Sequence, residues 1–396
     1  MSKFYNVFLG GKSGAIGLGI LAALLLVVFP MALDVFRLNL MAKYLSYAFV
    51  AIGLVVCWGH GGILSLGQGV FWGLGGYCIA AFLKLEAARN IALEATSDQM
   101  KALTTLGLPD FMDWNQITEL PWFWYGFKSL PVSIILMFVV PSVLAYLLGT
   151  AIFKRRVAGV YFAIITQALA WIMEMLFVTR QGWTGGINGI TDLRTMWGWD
   201  IRTTSAQYTL YFTTSVLLLA CILVCRGILN SKLGRLLVAL RDEEDRVRFS
   251  GYDAANIKRF AFVVAAIISA LGGGLFVMNV GFMSPKLVTI EPSIYMVIFC
   301  AVGGRMSLIG AVYGALVVQF GRTWFSEQYP AMWYFLMGGV FIVVTRYFPN
   351  GLAGIYDDYV APLFKKLGSR RPKAVASGFD STAPAIVPNT VNTTGN

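Results

Sequence analysis

The strongest constraint on this chain is a series of apolar runs, each long enough to cross a lipid bilayer. About 20 consecutive apolar residues span the hydrocarbon core as a helix. Seven runs fit this description, at residues 14–33, 44–58, 64–83, 131–152, 160–178, 209–228 and 260–280. Only 13% of the residues are charged, against about 25% in soluble domains. The sequence therefore predicts an all-α integral membrane protein, because helices satisfy their own backbone groups in lipid.

A further apolar region, residues 294–346, is broken at Gly303-Gly304-Arg305 and again at Tyr329-Pro330. It holds either one crossing with a re-entrant hairpin or three crossings with short helices. The whole bundle then has about eight or about ten transmembrane helices. The larger number is our prediction.

Positive charge is concentrated in loops that the alternation of crossings places on one side of the membrane. These loops are residues 154–156, 232–259 and 365–371. Because basic loops stay in the cytoplasm, we predict that this side is cytoplasmic, together with residues 1–13 and a largely disordered tail at 357–396. The transmembrane domain is then 14–356, with a large outer loop at 84–129. Since the net charge of +11 follows this sidedness, no nucleic-acid partner is predicted.

The charged loop at residues 229–259 has the pattern of an amphipathic helix. Its leucines follow the spacing of one helix face: Leu233, Leu236, Leu237 and Leu240. Two acid-first pairs four residues apart, Asp242 with Arg246 and Glu244 with Arg248, favour a helix by a few tenths of a kcal/mol each. The loop therefore predicts a folded element outside the membrane.

Helix-ending residues follow these pairs. Gly251 is predicted to end the helix, and Asp253 to cap the next one. Two interpretations remain open at this point. The loop is either a self-stabilised surface helix or a docking helix for a soluble partner.

Polar residues within the apolar runs are costly in lipid and point towards the inside of a bundle or a cavity. Gln167, Trp171 and Glu174 lie at i, i+4 and i+7 on one helix face. They line a solute pathway or form hydrogen bonds to another helix. The candidate pathway residues are Gln68, Tyr161, Gln167, Trp171, Glu174 and Asn188.

Glycine is frequent where continuous helices are expected. Residues 61–69 contain four glycines, and the pattern Gly-Gly-x-x-Ser-Leu at 61–66 recurs at 303–308. Close helix packing explains such glycines. The alternative is an interrupted helix whose backbone lines a substrate path, within an internal repeat of the kind found in transporters.

Motifs for catalysis and energy conversion are missing from the sequence. It has no Gly-x-x-x-x-Gly-Lys-Ser/Thr motif, so an energised transporter would need its ATPase on another chain. His60 is the only histidine, and no metal site or cofactor is predicted. Glu174 is the one clear acid deep in a run, which disfavours a proton relay. A secondary transporter, a channel and a membrane-embedded enzyme are the competing classes.

Several segments together resemble the LivM-type permeases of ATP-binding-cassette (ABC) importers. They are residues 64–69, 159–166, 184–190, 233–235, 241–242, 250–252, 301–305 and 308–310. The resemblance implies a heteromeric importer in the bacterial inner membrane. Its other components would be a second permease subunit, two ATP-binding subunits, a periplasmic solute-binding protein and the surrounding lipid.

In that family the cytoplasmic helix transmits nucleotide-dependent closure to the membrane helices, a rigid-body coupling. The resemblance therefore assigns a coupling role to matched residues of the charged loop. They are Gly234, Arg235, Arg241, Asp242, Ser250 and Gly251.

A narrower similarity is to the permeases of urea importers (the UrtC type). It is carried by residues 109–112 and 119–127 of the outer loop and by residues 165–169. This similarity implies transport of urea, a small neutral solute that hydrogen-bonding groups recognise. Residues 184–190 are shared with amino-acid permeases, and Glu174 resembles the amino-acid branch. Branched-chain amino acids and short-chain amides are therefore the alternative solutes.

Overall fold

The computed structural model describes residues 11–94, 107–157, 159–330, 332–347 and 351–355. In these residues the chain is helical apart from its connections and one small hairpin, Thr195–Met196 paired with Trp199–Asp200. Nine helices of the described part are long and apolar enough to cross a membrane. The predicted all-α polytopic architecture is confirmed.

The longer helices are labelled here in chain order. They are α1 (Ala15–Ala32), α2 (Val35–His60), α3 (Gln68–Glu94), α4 (Leu130–Phe153), α5 (Gly159–Thr179), α6 (Thr204–Asn230), α7 (Lys232–Asp242), α8 (Glu244–Phe249), α9 (Ala254–Val280), α10 (Ile290–Gly303), α11 (Leu308–Gln328) and α12 (Trp333–Tyr347). Shorter helices lie at Asp110–Trp114, Gln181–Thr184 and Gly351–Ile355. The predicted tail and most of the N-terminal segment lie outside the described residues.

The region predicted to hold either one or three crossings forms three helices, α10, α11 and α12. Both predicted breaks are helix ends, because α10 ends at Gly303 and α11 ends at Gln328. α12 has 15 residues, fewer than the roughly 17 that a crossing needs. The described chain therefore has nine helices that are long and apolar enough to cross, while α12 is too short, and ten crossings stays a prediction.

Burial separates central helices from peripheral ones. In α2, α3 and α9, 83%, 89% and 72% of the residues in the apolar segment are buried inside the chain. In α4, α5 and α6 the share is 28% each. α4, α5 and α6 therefore present broad faces to lipid or to another protein, whereas α2, α3 and α9 form most of the core.

Glycines bring the central helices α3 and α9 into backbone contact. A Cβ atom on Gly75 would lie 2.2 Å from the carbonyl oxygen of Ala270, and one on Gly273 would lie 1.8 Å from that of Trp72. Neither position has room for a side chain. Gly75 and Gly273 are therefore close-packing residues of the two helices.

The glycine-rich stretch after α2 is a connection and not the start of the third crossing. α2 ends in a π-helical turn at His60, Gly62 has φ +69°, and α3 begins only at Gln68. The Leu66 amide donates a 3.1 Å hydrogen bond to Thr166 Oγ1 of α5. The prediction of a helix from residue 64 was wrong, because this buried backbone takes its partners from a neighbouring helix.

At the other end of α3, the helix continues to Glu94, so the first part of the predicted outer loop is helical. Lys84 is buried there, 3.0 Å from Asp110 Oδ1 and 3.0 Å from the carbonyl oxygen of Thr191. This charged contact ties α3 to two loops. Residues 95–106 lie outside the described residues.

Candidate coupling surface and pathway face

The charged loop folds against the bundle as two short helices, α7 and α8. Ser231 caps α7, since its Oγ accepts a 3.2 Å hydrogen bond from the Leu233 amide. Leu237 and Leu240 are buried together with Val247 of α8 and with Ile257 of α9. Of the predicted apolar stripe, these two leucines form the buried side, while Leu233 remains 36% exposed.

Gly234 sets how closely α7 packs on the end of α6. A Cβ atom at this position would lie 1.9 Å from the carbonyl oxygen of Leu229. Because that oxygen belongs to the backbone, it has no side-chain freedom with which to move away. Gly234 is therefore required for the sharp turn between α6 and α7.

The loop is broken at Glu243, whose φ of −149° and ψ of 84° are not helical. The predicted single helix was wrong in this respect, and so was the pair between Asp242 and Arg246. The break removes the four-residue register of this pair, and Asp242 Oδ1 instead accepts a 2.9 Å hydrogen bond from Arg241 Nε.

The other predicted pair is confirmed. Arg248 lies 2.5 Å from Glu244, which also binds Lys258 of α9 at 2.5 Å. Burial alone would raise the pKa of the Glu244 carboxyl, but the hydrogen bonds and charges of Lys258 and Arg248 outweigh it and hold that pKa below its usual value. This triad fastens α8 to α9.

Both predicted helix-ending residues are also confirmed. Gly251 has φ +84° and donates its amide to the carbonyl oxygen of Arg248 at 2.9 Å. Asp253 Oδ1 caps α9 by accepting from the amides of Ala255 and Asn256. The local sequence therefore determines where α8 ends and where α9 begins.

Arg241 connects α7 to the membrane helices. Its Nη1 donates a 2.9 Å hydrogen bond to the carbonyl oxygen of Gly59 at the end of α2 and lies 3.1 Å from Met306 Sδ in the turn between α10 and α11. A Cβ atom on Gly59 would lie 1.8 Å from the carbonyl oxygen of Arg305. Arg241 therefore reaches a point where three segments meet.

The segments that meet there include both copies of the Gly-Gly-x-x-Ser-Leu pattern. Each copy follows directly on a helix end, after α2 and at the end of α10. Ser307 of the second copy caps α11, with its Oγ accepting from the Gly310 amide at 3.0 Å. The two stretches therefore correspond in structure, because each forms a turn after a helix and the two turns are neighbours.

The outward side of α7 and α8 carries the remaining residues that were assigned to coupling. Arg235, Asp242, Ser250 and Gly251 are exposed. Phe249 is 91% exposed and Tyr252 is 51% exposed. The sequence analysis missed Phe249, although an aromatic residue within a strongly charged helix was the available signal.

The polar residues of α5 lie on a face that the chain itself does not cover. Tyr161 and Trp171 are exposed, and Gln167 and Glu174 are half-buried. The buried side of α5 is formed by Phe162, Ala163, Thr166, Ala170 and Phe177. The predicted stripe therefore faces away from the core of this subunit.

Gln68 lies apart from that face. It is fully buried on α3, and its Nε2 donates a 3.0 Å hydrogen bond to Ser269 Oγ of α9. Its Oε1 has no partner among the described residues. The structure thus places Gln68 as a helix-to-helix contact within the core.

The end of α5 that carries Glu174 is covered by two single-turn helices, Gly186–Asn188 and Pro285–Leu287. The backbone segments next to these two helices pair with each other: Ile190 and Met283 exchange two hydrogen bonds, with N–O distances of 2.7 and 2.9 Å. Asn188 is exposed, and the ammonium of Lys286 acts electrostatically on Glu174. An amide, a cation and a carboxylate are thus gathered at one end of the stripe.

The fold and these surfaces define a polytopic membrane protein with a helical element packed on one end. Residues 36–345 match the model of the family described as "Branched-chain amino acid transport system / permease component". The chain belongs to this family. It is accordingly a multi-pass inner-membrane permease of the ABC transporter class and a transport subunit.

Individual relatives are distant. The high-affinity branched-chain amino acid transport system permease protein LivM of Escherichia coli (strain K12) is 24% identical over 375 residues, which is 88% of this chain and 78% of the relative. LivM of Salmonella typhimurium is equally similar. The fructose import permease protein FrcC of Rhizobium meliloti is 23% identical over 233 residues, 56% of this chain and 63% of the relative. No solved structure matches the chain.

Proposed function

We propose that this chain is a permease subunit of an ABC importer for urea. It would act with a second permease, two ATP-binding subunits and a periplasmic binding protein. The observation that carries the proposal is the position of Gln167. This neutral amide lies half-buried on the uncovered face of α5, within the segment 165–169 that resembles urea permeases.

The uncovered face of α5 is the proposed pathway face, and the second permease would close it from the other side. Urea is small and uncharged, so its recognition depends on hydrogen bonds rather than on charge. Gln167 offers both a donor and an acceptor, while Tyr161 and Trp171 offer flat aromatic surfaces. Asn188 and Glu174 would lie where the solute enters. Gln68 is not part of this proposed pathway face, because its amide forms a hydrogen bond to Ser269 of α9 inside the core.

The surface of α7 and α8 is the proposed ATPase-docking surface. Its exposed residues combine charge, in Arg235 and Asp242, with an aromatic side chain, Phe249. Aromatic residues surrounded by charge are typical centres of protein interfaces. The proposed sidedness follows: this end of the bundle and both termini would lie in the cytoplasm.

A branched-chain amino acid is the second candidate solute. The LivM relatives favour it, and so does the electrostatic interaction of Lys286 with Glu174. Two opposite charges at one end of a pathway suit the ammonium and carboxylate of an amino acid better than they suit urea.

The partner binding protein separates these two candidates. Calorimetric titration with urea, acetamide and L-leucine measures which solute is delivered to this permease. The proposal expects tight binding of urea, weaker binding of acetamide and no heat with leucine. Tight binding of leucine without binding of urea would replace urea by an amino acid and leave the ABC permease assignment intact.

A further inference from the structure

The turn between α10 and α11 brings a thioether against α7. Met306 Sδ lies 3.1 Å from Arg241 Nη1, the nitrogen that also donates the 2.9 Å hydrogen bond to the carbonyl oxygen of Gly59. Asp242 accepts from the Nε atom of the same guanidinium. Because a carbonyl oxygen is a strong acceptor and a thioether a weak one, Arg241 is held more firmly by α2 than by the turn.

The sulfur of Met306 is open to solvent, since this side chain is 43% exposed. Three other methionines with described side chains are exposed. Met31 and Met175 lie within helices that are long and apolar enough to cross the membrane, and Met332 follows the far end of α11. All five cysteines lie within such helices, where Cys221 is half-buried and the other four are buried. Among the described side chains, Met306 therefore carries the one exposed sulfur at the end of the bundle that holds α7 and α8.

An exposed thioether reacts with peroxides to give a sulfoxide. The Met306 sulfur attacks one oxygen of hydrogen peroxide, an S–O bond forms as the O–O bond breaks, and the other oxygen leaves as water with both protons. The sulfur is oxidised by two electrons and the peroxide is reduced by two. Methionine sulfoxide reductases restore the thioether, so the modification is reversible.

The new oxygen would form beside the Arg241 guanidinium. A sulfoxide is polar, and its oxygen accepts hydrogen bonds far better than a thioether does. Because Sδ is already 3.1 Å from Nη1, an oxygen on this sulfur competes with the Gly59 carbonyl for the same N–H groups. The backbone at Gly59 has no room to follow, since a Cβ atom there would lie 1.8 Å from the carbonyl oxygen of Arg305. Oxidation is therefore expected to draw Arg241 away from α2 and towards the turn.

We propose that Met306 is an oxidation site whose sulfoxide weakens the contact between Arg241 and Gly59. The modification would loosen the link between α7 and α2, and reduction of the sulfoxide would tighten it again. This regulation rests on the proposed function, because α7 affects transport only if it receives the ATP-binding subunit. The chemistry at the sulfur and the position of α7 do not depend on which solute is carried.

The test exposes the assembled permease complex in lipid nanodiscs to hydrogen peroxide. Peptide mass spectrometry measures sulfoxide at residue 306, and limited proteolysis measures how well residues 229–259 are held. Sulfoxide at Met306 should be accompanied by faster cleavage, by about tenfold at most, the equivalent of one hydrogen bond of a charged group. Treatment with the two stereospecific methionine sulfoxide reductases should return the cleavage rate to its initial value.

Three variants assign the effect to this sulfur. Met306→Leu keeps an apolar side chain of similar volume without an oxidisable atom, so its cleavage should not respond to peroxide. Met306→Gln places a polar oxygen near the position of the sulfoxide and should be cleaved quickly without peroxide. Met332→Leu is the matched control, because it removes a methionine that is 63% exposed and distant from Arg241. It should respond to peroxide as the unchanged complex does.

Absence of sulfoxide at Met306 would overturn the inference, and so would sulfoxide with unchanged or slower cleavage. A peroxide response that persists in Met306→Leu would assign the effect to another residue and also overturn it. Failure of the proposed function is distinguishable, since it appears as a lack of ATP-dependent urea uptake while the peroxide response of α7 is still measured by cleavage.

Discussion

Arg241 Nη1 lies 2.9 Å from the carbonyl oxygen of Gly59, a residue 182 positions earlier in the chain. The contact places the guanidinium of α7 against the end of α2, next to the turn that joins α10 to α11. A movement of α7 would therefore act directly on two membrane segments. We propose that this contact is the mechanical link between the proposed docking surface and the bundle.

Arg241→Glu is expected to uncouple the transporter. The reversed charge would face a carbonyl oxygen and lose a hydrogen bond of a charged group, worth about 1.5–3 kcal/mol. Uptake in proteoliposomes should fall at least about tenfold while ATP hydrolysis continues. Lys154→Glu makes the same charge change at the exposed end of α4 and should leave both rates unchanged. Equal losses in the two variants would point to a general charge effect.

Gly234→Ala is expected to displace α7. The added methyl group would overlap with the carbonyl oxygen of Leu229, so the turn after α6 has to open. Limited proteolysis should then cut residues 229–259 faster than in the unchanged protein. Gly321→Ala, in the middle of α11 with open space around its Cβ position, is the control and should resist proteolysis at least as well, since alanine favours a helix by about 1 kcal/mol. Unchanged cleavage in Gly234→Ala would contradict the packing described for α7.

Acid is expected to release α8 from α9. The pKa of Glu244 is lower in the folded protein than in the unfolded chain, so its stabilising effect is fully present above the ordinary carboxyl value of about 4.3. The effect is lost as the pH falls through the lower, folded-state pKa. Amide protection factors of residues 244–249, corrected for intrinsic exchange, should drop below about pH 4. In Glu244→Gln the protection factors should be low and independent of pH in this range. If their pH dependence equals that of the unchanged protein, Glu244 is not the source of the effect.

Phe249→Ala is expected to weaken association with the ATP-binding subunit. A side chain that is 91% exposed contributes little to folding. Its removal should therefore weaken binding of the ATP-binding subunit without destabilising the permease. Central aromatic residues of interfaces cost about 2 kcal/mol or more when truncated. Co-purification with the ATP-binding subunit measures the loss of binding. Phe249→Leu should retain part of the binding. Full retention in the alanine variant would place the docking centre elsewhere on α7 and α8.

Gln167→Ala is expected to lower urea uptake about tenfold, the equivalent of one or two hydrogen bonds. ATP hydrolysis should stay the same, because α5 does not carry the docking surface. Ile172→Ala removes an exposed apolar side chain from the same helix and should transport normally. Unchanged uptake in Gln167→Ala would remove this residue from the pathway.

Local patterns predicted those parts of the molecule that depend on neighbours in sequence. Apolar runs located the crossings, and Gly251 and Asp253 marked helix ends correctly, because turn and cap geometry involves only a few adjacent residues. The break at Glu243 was not foreseen. The amphipathic pattern continues across it, and the triad of Glu244 with Arg248 and Lys258 takes a partner from another helix.

Contacts between distant residues escaped prediction for the same reason. Nothing near Gln68 shows that its amide is directed at Ser269. The run at 64–83 has the pattern of a helix, although the backbone amide of Leu66 binds Thr166 of a neighbouring helix. The fold class follows from the apolar runs and the low charge content of the sequence. The division between a buried core and an uncovered α5 face requires the packed structure.

The most direct test of the central claim is urea uptake into proteoliposomes that contain this permease with its second permease and ATP-binding subunits. With the binding protein outside and ATP inside, we predict urea accumulation that stops when either is omitted. Urea uptake that is driven by an ion gradient without ATP, or that proceeds passively through this chain alone, would contradict the account.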